Sequence, residues 1–168
     1  RYSAYRRARP ELLGAVARQL TDEHGLAVWV TGSVAEASLA DEVVRAAGRP
    51  GVHSLAGRLD LGALAAWLAE ARLVVVPDTG VLHLAVAVGA PVVAILGPVG
   101  EVNGPERVLP PCDQVIEARV DRGCAPCACN IQRCRSIACL AQLDAAQIGR
   151  ACARALAARR LAHPTSET

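Results

Sequence analysis

The chain has 168 residues, 52% of them hydrophobic and 20% charged, which suits one globular domain with a proper core and excludes a disordered chain. A net charge of +2, with 18 arginines and no lysine, excludes a dedicated nucleic-acid binder; the densest basic stretch is the four arginines of residues 1–9. Phe and Met are absent, so Ala, Leu and Val must fill the core.

Residues 10–24 read as a helix. Pro10 suits a first turn, Leu12, Leu13, Val16 and Leu20 form an apolar stripe, and Gly25 ends it. Residues 26–30 are a short apolar run, hence a strand, followed by the turn Thr31-Gly32-Ser33. Residues 35–47 form a second helix with Leu39, Val43 and Val44 inward, and residues 52–55 a short strand. Residues 60–71 form a third helix, with Asp60 as N-cap and Leu61, Leu64, Ala65 and Leu68 on one face. Then come a strand at 73–76, a helix at 80–88 closed by Gly89, a strand at 91–96, and one more at 115–120. A final amphipathic helix is expected over 143–160, then a disordered tail at 163–168.

The strands alternate with helices of about ten residues and are continuously apolar, which is the pattern of a parallel sheet covered on both faces. The expected fold is α/β: one Rossmann-like, doubly wound domain over residues 1–162, with a Cys-rich loop at 122–140 inside it and a C-terminal helix. Ligands of such sheets bind beyond the carboxyl ends of the strands. No apolar run reaches the roughly 18 residues of a membrane span, because Pro77, Asp78, His83 and Pro91 interrupt the longest one.

That longest run, LVVVPDTGVLHLAVAVGAPVVAILGP, holds the candidate site. Val76-Pro77-Asp78-Thr79-Gly80 reads as a strand-to-helix turn, with Asp78 or Thr79 as the cap. The first-turn N–H groups of the helix are a ready anion site. Gly80 admits a ligand close to the backbone. His83, one turn along, can converge with Asp78, Thr79 and Gly80. Gly32 and Ser33 should end a neighbouring strand on the same edge. Read as local structure alone, Asp-Thr is an N-cap pair and a helical His an ordinary exposed side chain. Asp-Thr-Gly also occurs in aspartic proteases, but those need two such carboxylates in an all-β setting, and here the motif occurs once, before a helix.

In order, VWVTGSVAEASLADEV, VHSLAGRLDLGALAAWLAEARLVVVPDTGVLHLAVAVGAPVVAILGP, a proline-rich turn and CAPC resemble the C-terminal half of glycosyltransferase family 9, the bacterial heptosyltransferases of the lipopolysaccharide inner core. The resemblance covers about residues 26–148. It implies a GT-B fold, whose C-terminal domain holds the nucleotide-sugar donor, usually ADP-heptose. Asp78, Thr79, Gly80 and His83 would then surround the donor's sugar and diphosphate, with Gly32 and Ser33 beside them. Glu36 would accept hydrogen bonds from the ribose. The family uses a basic residue before a Trp-Pro-Glu helix start; matching Pro10-Glu11 to that start makes Arg7 or Arg6 the phosphate contact, although no Lys is present and Arg9 stands in the aromatic position.

The resemblance also implies that an N-terminal acceptor domain, with the general base, is absent from this chain, so the fragment alone should be inactive. The chain begins without Met, as a fragment would. The whole enzyme would perform inverting transfer to a lipid-linked or core-oligosaccharide acceptor with no metal required. It would be cytoplasmic, at the inner face of the inner membrane and peripherally associated with it, with no nucleic-acid partner. The alternatives are a non-catalytic nucleotide-binding or metal-stapled interaction module, and a redox or metal-sensing domain.

Five of the seven cysteines lie in CAPCACNIQRCRSIAC. Cys124, Cys127, Cys134 and Cys139, with Cys129 spare, are spaced to place four thiolates on one structural zinc or iron. Disulfides or reduced buried thiols are the other readings. Cys112 and Cys152 look like bystanders.

Overall fold

The computed structural model of the protein describes residues 8–96, 114–118 and 142–162. Arg7, the 124–139 cysteines and the tail expected at 163–168 lie outside them. Helix α1 spans Pro10–His24, as the stripe predicts, and Gly25 ends it in the left-handed region at φ 63°. Strand β1 (Val28–Val30) leads into a single 3₁₀ turn, Val34–Glu36, and then α2 (Ala37–Ala47). The expected second helix is therefore split at its start. Strand β2 is Val52–Ser54. Helix α3 (Leu61–Glu70) is capped as expected, the Asp60 carboxylate accepting the Ala63 N–H at 2.8 Å. Strand β3 (Val74–Pro77), helix α4 (Gly80–Ala87) and strand β4 (Val92–Ile95) follow, then β5 (Val115–Ala118) and α5 (Ala145–Ala162).

All the ladders are parallel. Strand β4 shows how both faces are covered. Val93 and Ile95 enter a core with Leu12, Val16 and Leu20 of α1 and Ile148, Cys152 and Leu156 of α5. Val92 and Ala94 enter the opposite core, with Leu68 of α3 and Leu82 and Ala85 of α4. A strand buried on both faces has no use for polar alternation, hence its unbroken apolar run. A third, small core of Ala17, Ala47 and Val52 joins α1, α2 and β2.

Among the described residues the parallel strands form two ladders, β1-β2 and β3-β4-β5. Hydrophobic periodicity sets which faces of a strand are buried but not which strand lies beside it, so the sequence pattern was blind to the split.

Helices α1 and α2 pack unusually closely. A Cβ on Gly14 would lie 2.6 Å from the Cβ of Ala46. Arg18 of α1 donates to the carbonyls of Ala46 and Ala47 at 2.6 and 2.9 Å, satisfying acceptors that the last turn of α2 leaves open. Asp22 and Arg49 form a two-bond ion pair at 2.7 and 2.8 Å across the surface of the same unit.

Candidate functional site

Each candidate turn sits at the carboxyl end of a parallel strand, Gly32–Ser33 after β1 in one ladder and Asp78–Gly80 after β3 in the other. After β3, Asp78 is half-buried, while Thr79, Gly80 and His83 are exposed. Thr79 occupies the N-cap of α4 with extended backbone (φ −146°, ψ 169°), but its hydroxyl makes no cap hydrogen bond. The expected side-chain cap is thus not formed by Thr79. Of the first-turn N–H groups of α4, that of Leu82 already donates to the Thr79 carbonyl at 3.0 Å, and the helix start carries the positive end of the dipole. A Cβ built on Gly80 would meet no atom within 4 Å. The glycine therefore opens space at the helix mouth instead of relieving strain. His83 lies three residues further along α4, close to the same face.

The turn after β1 is built differently. The Glu36 carboxylate folds back and accepts both the N–H and the hydroxyl of Ser33, at 2.9 and 2.8 Å. Ser33-x-x-Glu36 is the spacing of a capping box, a local signal that the sequence carries beside the ligand role expected of Glu36. Gly32 makes room for this fold-back, since a Cβ there would lie 3.2 Å from Glu36 Cβ. The structure thus joins Gly32, Ser33 and Glu36 into one small unit.

A second turn, unassigned from sequence, is stitched to it. The Leu55 N–H donates to the Val30 carbonyl and the Gly57 N–H to the Gly32 carbonyl, both at 2.8 Å. Gly57 is left-handed at φ 73°, and a side chain there would meet Val34 Cα and Cγ2 at 3.1 Å. The Leu-Ala-Gly-Arg turn at 55–58 therefore fixes the position of the Thr-Gly-Ser turn. Beyond that edge, Trp29 stacks on His53 with ring centroids 4.7 Å apart, and Trp67 of α3 meets Trp29 edge-on at 5.1 Å.

A hollow of about 480 Å³ between β5 and α5 is lined by Glu117, Gln147, Arg150 and Arg154, and holds none of the described candidate residues. Among the described residues no three His, Cys, Asp or Glu side chains converge as a metal site, and no helix is long and apolar enough to cross a membrane. Cys152 is fully buried in the α1/α5 core, and burial pushes its thiol up to about 12.

Chemically, the described edge offers backbone donors at an open helix mouth, an imidazole one turn on, and carboxylates at two turns. Such a set suits an anionic group with hydroxyls beside it.

Comparison with known proteins bears on this edge. The family model "Glycosyltransferase family 9 (heptosyltransferase)" matches residues 14–137. No curated protein matches significantly. Among solved structures, the chain is similar to the ADP-heptose LPS heptosyltransferase II of E. coli (TM-score 0.73, 20% identity), over 92% of this chain and 43% of that one. A glycosyl transferase family 9 protein of Veillonella parvula gives TM-score 0.71 at 21% identity, over 92% and 43%. E. coli heptosyltransferase WaaC, with ADP-2-deoxy-2-fluoro heptose, gives 0.66 at 21%, over 89% and 39%. At these identities the structures show a shared fold, and the chain spans less than half the length of each.

Proposed function

Because the chain belongs to glycosyltransferase family 9, we propose that it is the donor-binding part of an inverting glycosyltransferase and holds a nucleotide sugar, ADP-heptose in the first instance. The observation that carries this is the mouth of α4: uncapped by Thr79, unobstructed at Gly80, with His83 one turn on. In this reading the first-turn N–H groups and His83 hold the diphosphate, Asp78 accepts from sugar hydroxyls, and the Gly32–Ser33–Glu36 unit meets the nucleoside. E. coli WaaC, solved with an ADP-heptose analogue, supports that class of donor.

The reaction would be attack of an acceptor hydroxyl on the anomeric carbon, with the nucleoside diphosphate leaving. This chain's contribution is to stabilise charge on the departing diphosphate with fixed donors. The base that takes the acceptor's proton would come from a further domain, as would the contacts to a lipid-linked or core-oligosaccharide acceptor. The whole protein would work in the cytoplasm at the inner face of the inner membrane. No step of this scheme requires a metal.

The test is calorimetric titration of this chain with ADP and ADP-heptose. Saturable heat that weakens in Asp78→Ala and His83→Ala is the expected result. The absence of saturable heat at millimolar ligand, or binding untouched by both substitutions, removes the donor-site reading.

A further inference from the structure

Helix α5 carries charge that folding does not use. Over Ala145–Ala162 the sequence has four arginines and no acid. One face of the helix, with Ile148, Ala151, Cys152, Ala155 and Leu156, is buried in the α1/α5 core. Arg150 and Arg154 are exposed, one turn apart. Like charges at that spacing repel and cost the helix a little stability. No neighbour on the helix offsets them. The residues three and four away from Arg150 are Ala146, Gln147, Ala153 and Arg154; those around Arg154 are Arg150, Ala151, Ala157 and Ala158. Arg150 is also too far from the helix C-terminus to gain from the dipole, which acts within the last turn. Among the described residues neither guanidinium has a hydrogen-bond or ion-pair partner. Arg18 and Arg49 differ, since they are bound to the α2 carbonyls and to Asp22.

The same two arginines line the hollow of about 480 Å³ between α5 and β5. Its size falls in the range of small-molecule pockets. Gln147, Arg150 and Arg154 follow one another along the helix at spacings of three and four, so three donor side chains border the hollow from one wall. Gln147 is fixed in place. Its amide oxygen accepts the Asp144 N–H at 3.0 Å, while the Asp144 carboxylate accepts the Gln147 N–H at 2.7 Å. This reciprocal pair occupies the amide oxygen and leaves the NH₂ group for another acceptor. Ala118 and Ala153 add small apolar surface. Glu117 supplies the one carboxylate of the lining, against two guanidinium groups. Strand alternation starts its side chain on the face away from α5, because Ile116 and Ala118 turn to the α1/α5 core and Val115 to the opposite one. Glu117 also has a partner of its own. The α5 wall therefore offers donors only, and the hollow is net positive.

We propose that this hollow is a second anion site, which binds a small phosphorylated molecule. Its phosphate sits between Arg150 and Arg154 with the Gln147 amide beside it, and its organic part lies against Ala118 and Ala153. Guanidinium forks match phosphate oxygens, and a dianion between the two cations removes their repulsion. The site is separate from the mouth of α4 and does not rest on the donor reading. In the β3-β4-β5 ladder Pro77 is level with Ile95, and Ile95 with Ala118. Neighbouring strands lie about 4.8 Å apart, so Ala118 is roughly 10 Å to the side of Pro77, across β4. Both sites can be filled at once. A free small molecule and a lipid headgroup present the same phosphate, and the two arms of the test tell them apart.

The first arm is calorimetric titration at constant ionic strength with inorganic phosphate and glucose phosphate, and with glucose as the uncharged control. The second is co-sedimentation with phosphatidylglycerol vesicles, against phosphatidylcholine. The expected result is saturable binding of glucose phosphate and none of glucose. Sedimentation with phosphatidylglycerol alone, without glucose phosphate binding, keeps the site and puts its phosphate on a lipid. In the double variant Arg150→Gln, Arg154→Gln the binding should weaken roughly ten- to hundredfold. The melting temperature should hold or rise, because a like-charge pair is gone. Asp78→Ala and saturating ADP should leave the binding unchanged, which separates this test from that of the donor site. Three results overturn the proposal: no saturable binding in either arm at millimolar phosphate, binding untouched by the double variant, or binding abolished by Asp78→Ala or by ADP, which assigns the phosphate to α4.

Discussion

Replacing Gly80 with alanine separates folding from binding. A Cβ at this position meets nothing within 4 Å, and Gly80 is not among the left-handed glycines, so the fold accepts the methyl without strain. Replacing a strain-free glycine stabilises a protein by about 0.4–1 kcal/mol, through the unfolded chain's lost freedom. The thermal midpoint of Gly80→Ala should therefore hold or rise by a few degrees. Binding should move the opposite way. Helical Cβ atoms tilt toward the N-terminus, so the methyl enters the space where a phosphate oxygen would meet the helix mouth. Losing one hydrogen bond to a charged group costs roughly 1.5–3 kcal/mol. That corresponds to a dissociation constant for ADP raised roughly ten- to hundredfold. Calorimetric titration beside a thermal melt reads both effects from one preparation. A variant that melts like the parent and binds ADP with unchanged affinity refutes the placement of the diphosphate at α4.

Gly14→Ala should do the reverse, lowering stability in urea by about 2 kcal/mol through overpacking against Ala46 while leaving any ADP affinity intact. The Arg49 guanidinium holds the Asp22 carboxyl below its ordinary value of 3.8, so its contribution is present above that pH and fades as pH falls through the lowered value; the melting-temperature gap between the protein and Asp22→Asn should close on that descent. Cys152, buried and held protonated, should resist a thiol reagent at pH 8 in the folded protein and react once urea unfolds it, as read by peptide mass mapping. Metal analysis of protein purified without added metal should find about one zinc or iron if Cys124, Cys127, Cys134 and Cys139 form a structural site; less than about a tenth of an equivalent removes that expectation.

The sequence announced most of this fold because its elements obey local rules. Pro10 and Gly25 bracket α1, the Asp60 carboxylate caps α3, and the unbroken apolar runs at 74–77 and 92–95 become strands, β4 buried on both faces. The β3–α4 junction was legible for the same reason, since strand, turn and helix are consecutive there. What escaped was everything decided between distant segments. The partnership of Gly57 with Gly32 needs two loops side by side. The split between β1 and β3 depends on strand order, which periodicity does not encode. At Glu36 the local role went unread beside the expected nucleoside contact: its carboxylate accepts from the N–H and hydroxyl of Ser33, three residues away. Of the two residues expected as the α4 cap, Asp78 or Thr79, Thr79 holds the N-cap position without the bond, because N-cap preference describes a position, whereas the hydrogen bond depends on the side-chain rotamer.

The paired indoles have an optical consequence. Trp29 and Trp67 are the only tryptophans in the chain, and their ring centroids are 5.1 Å apart. All of its indole emission therefore originates at one spot, on the face where α3 crosses β1. The protein thus carries a built-in fluorophore whose colour and intensity report how well the contact between α3 and β1 is sealed from water.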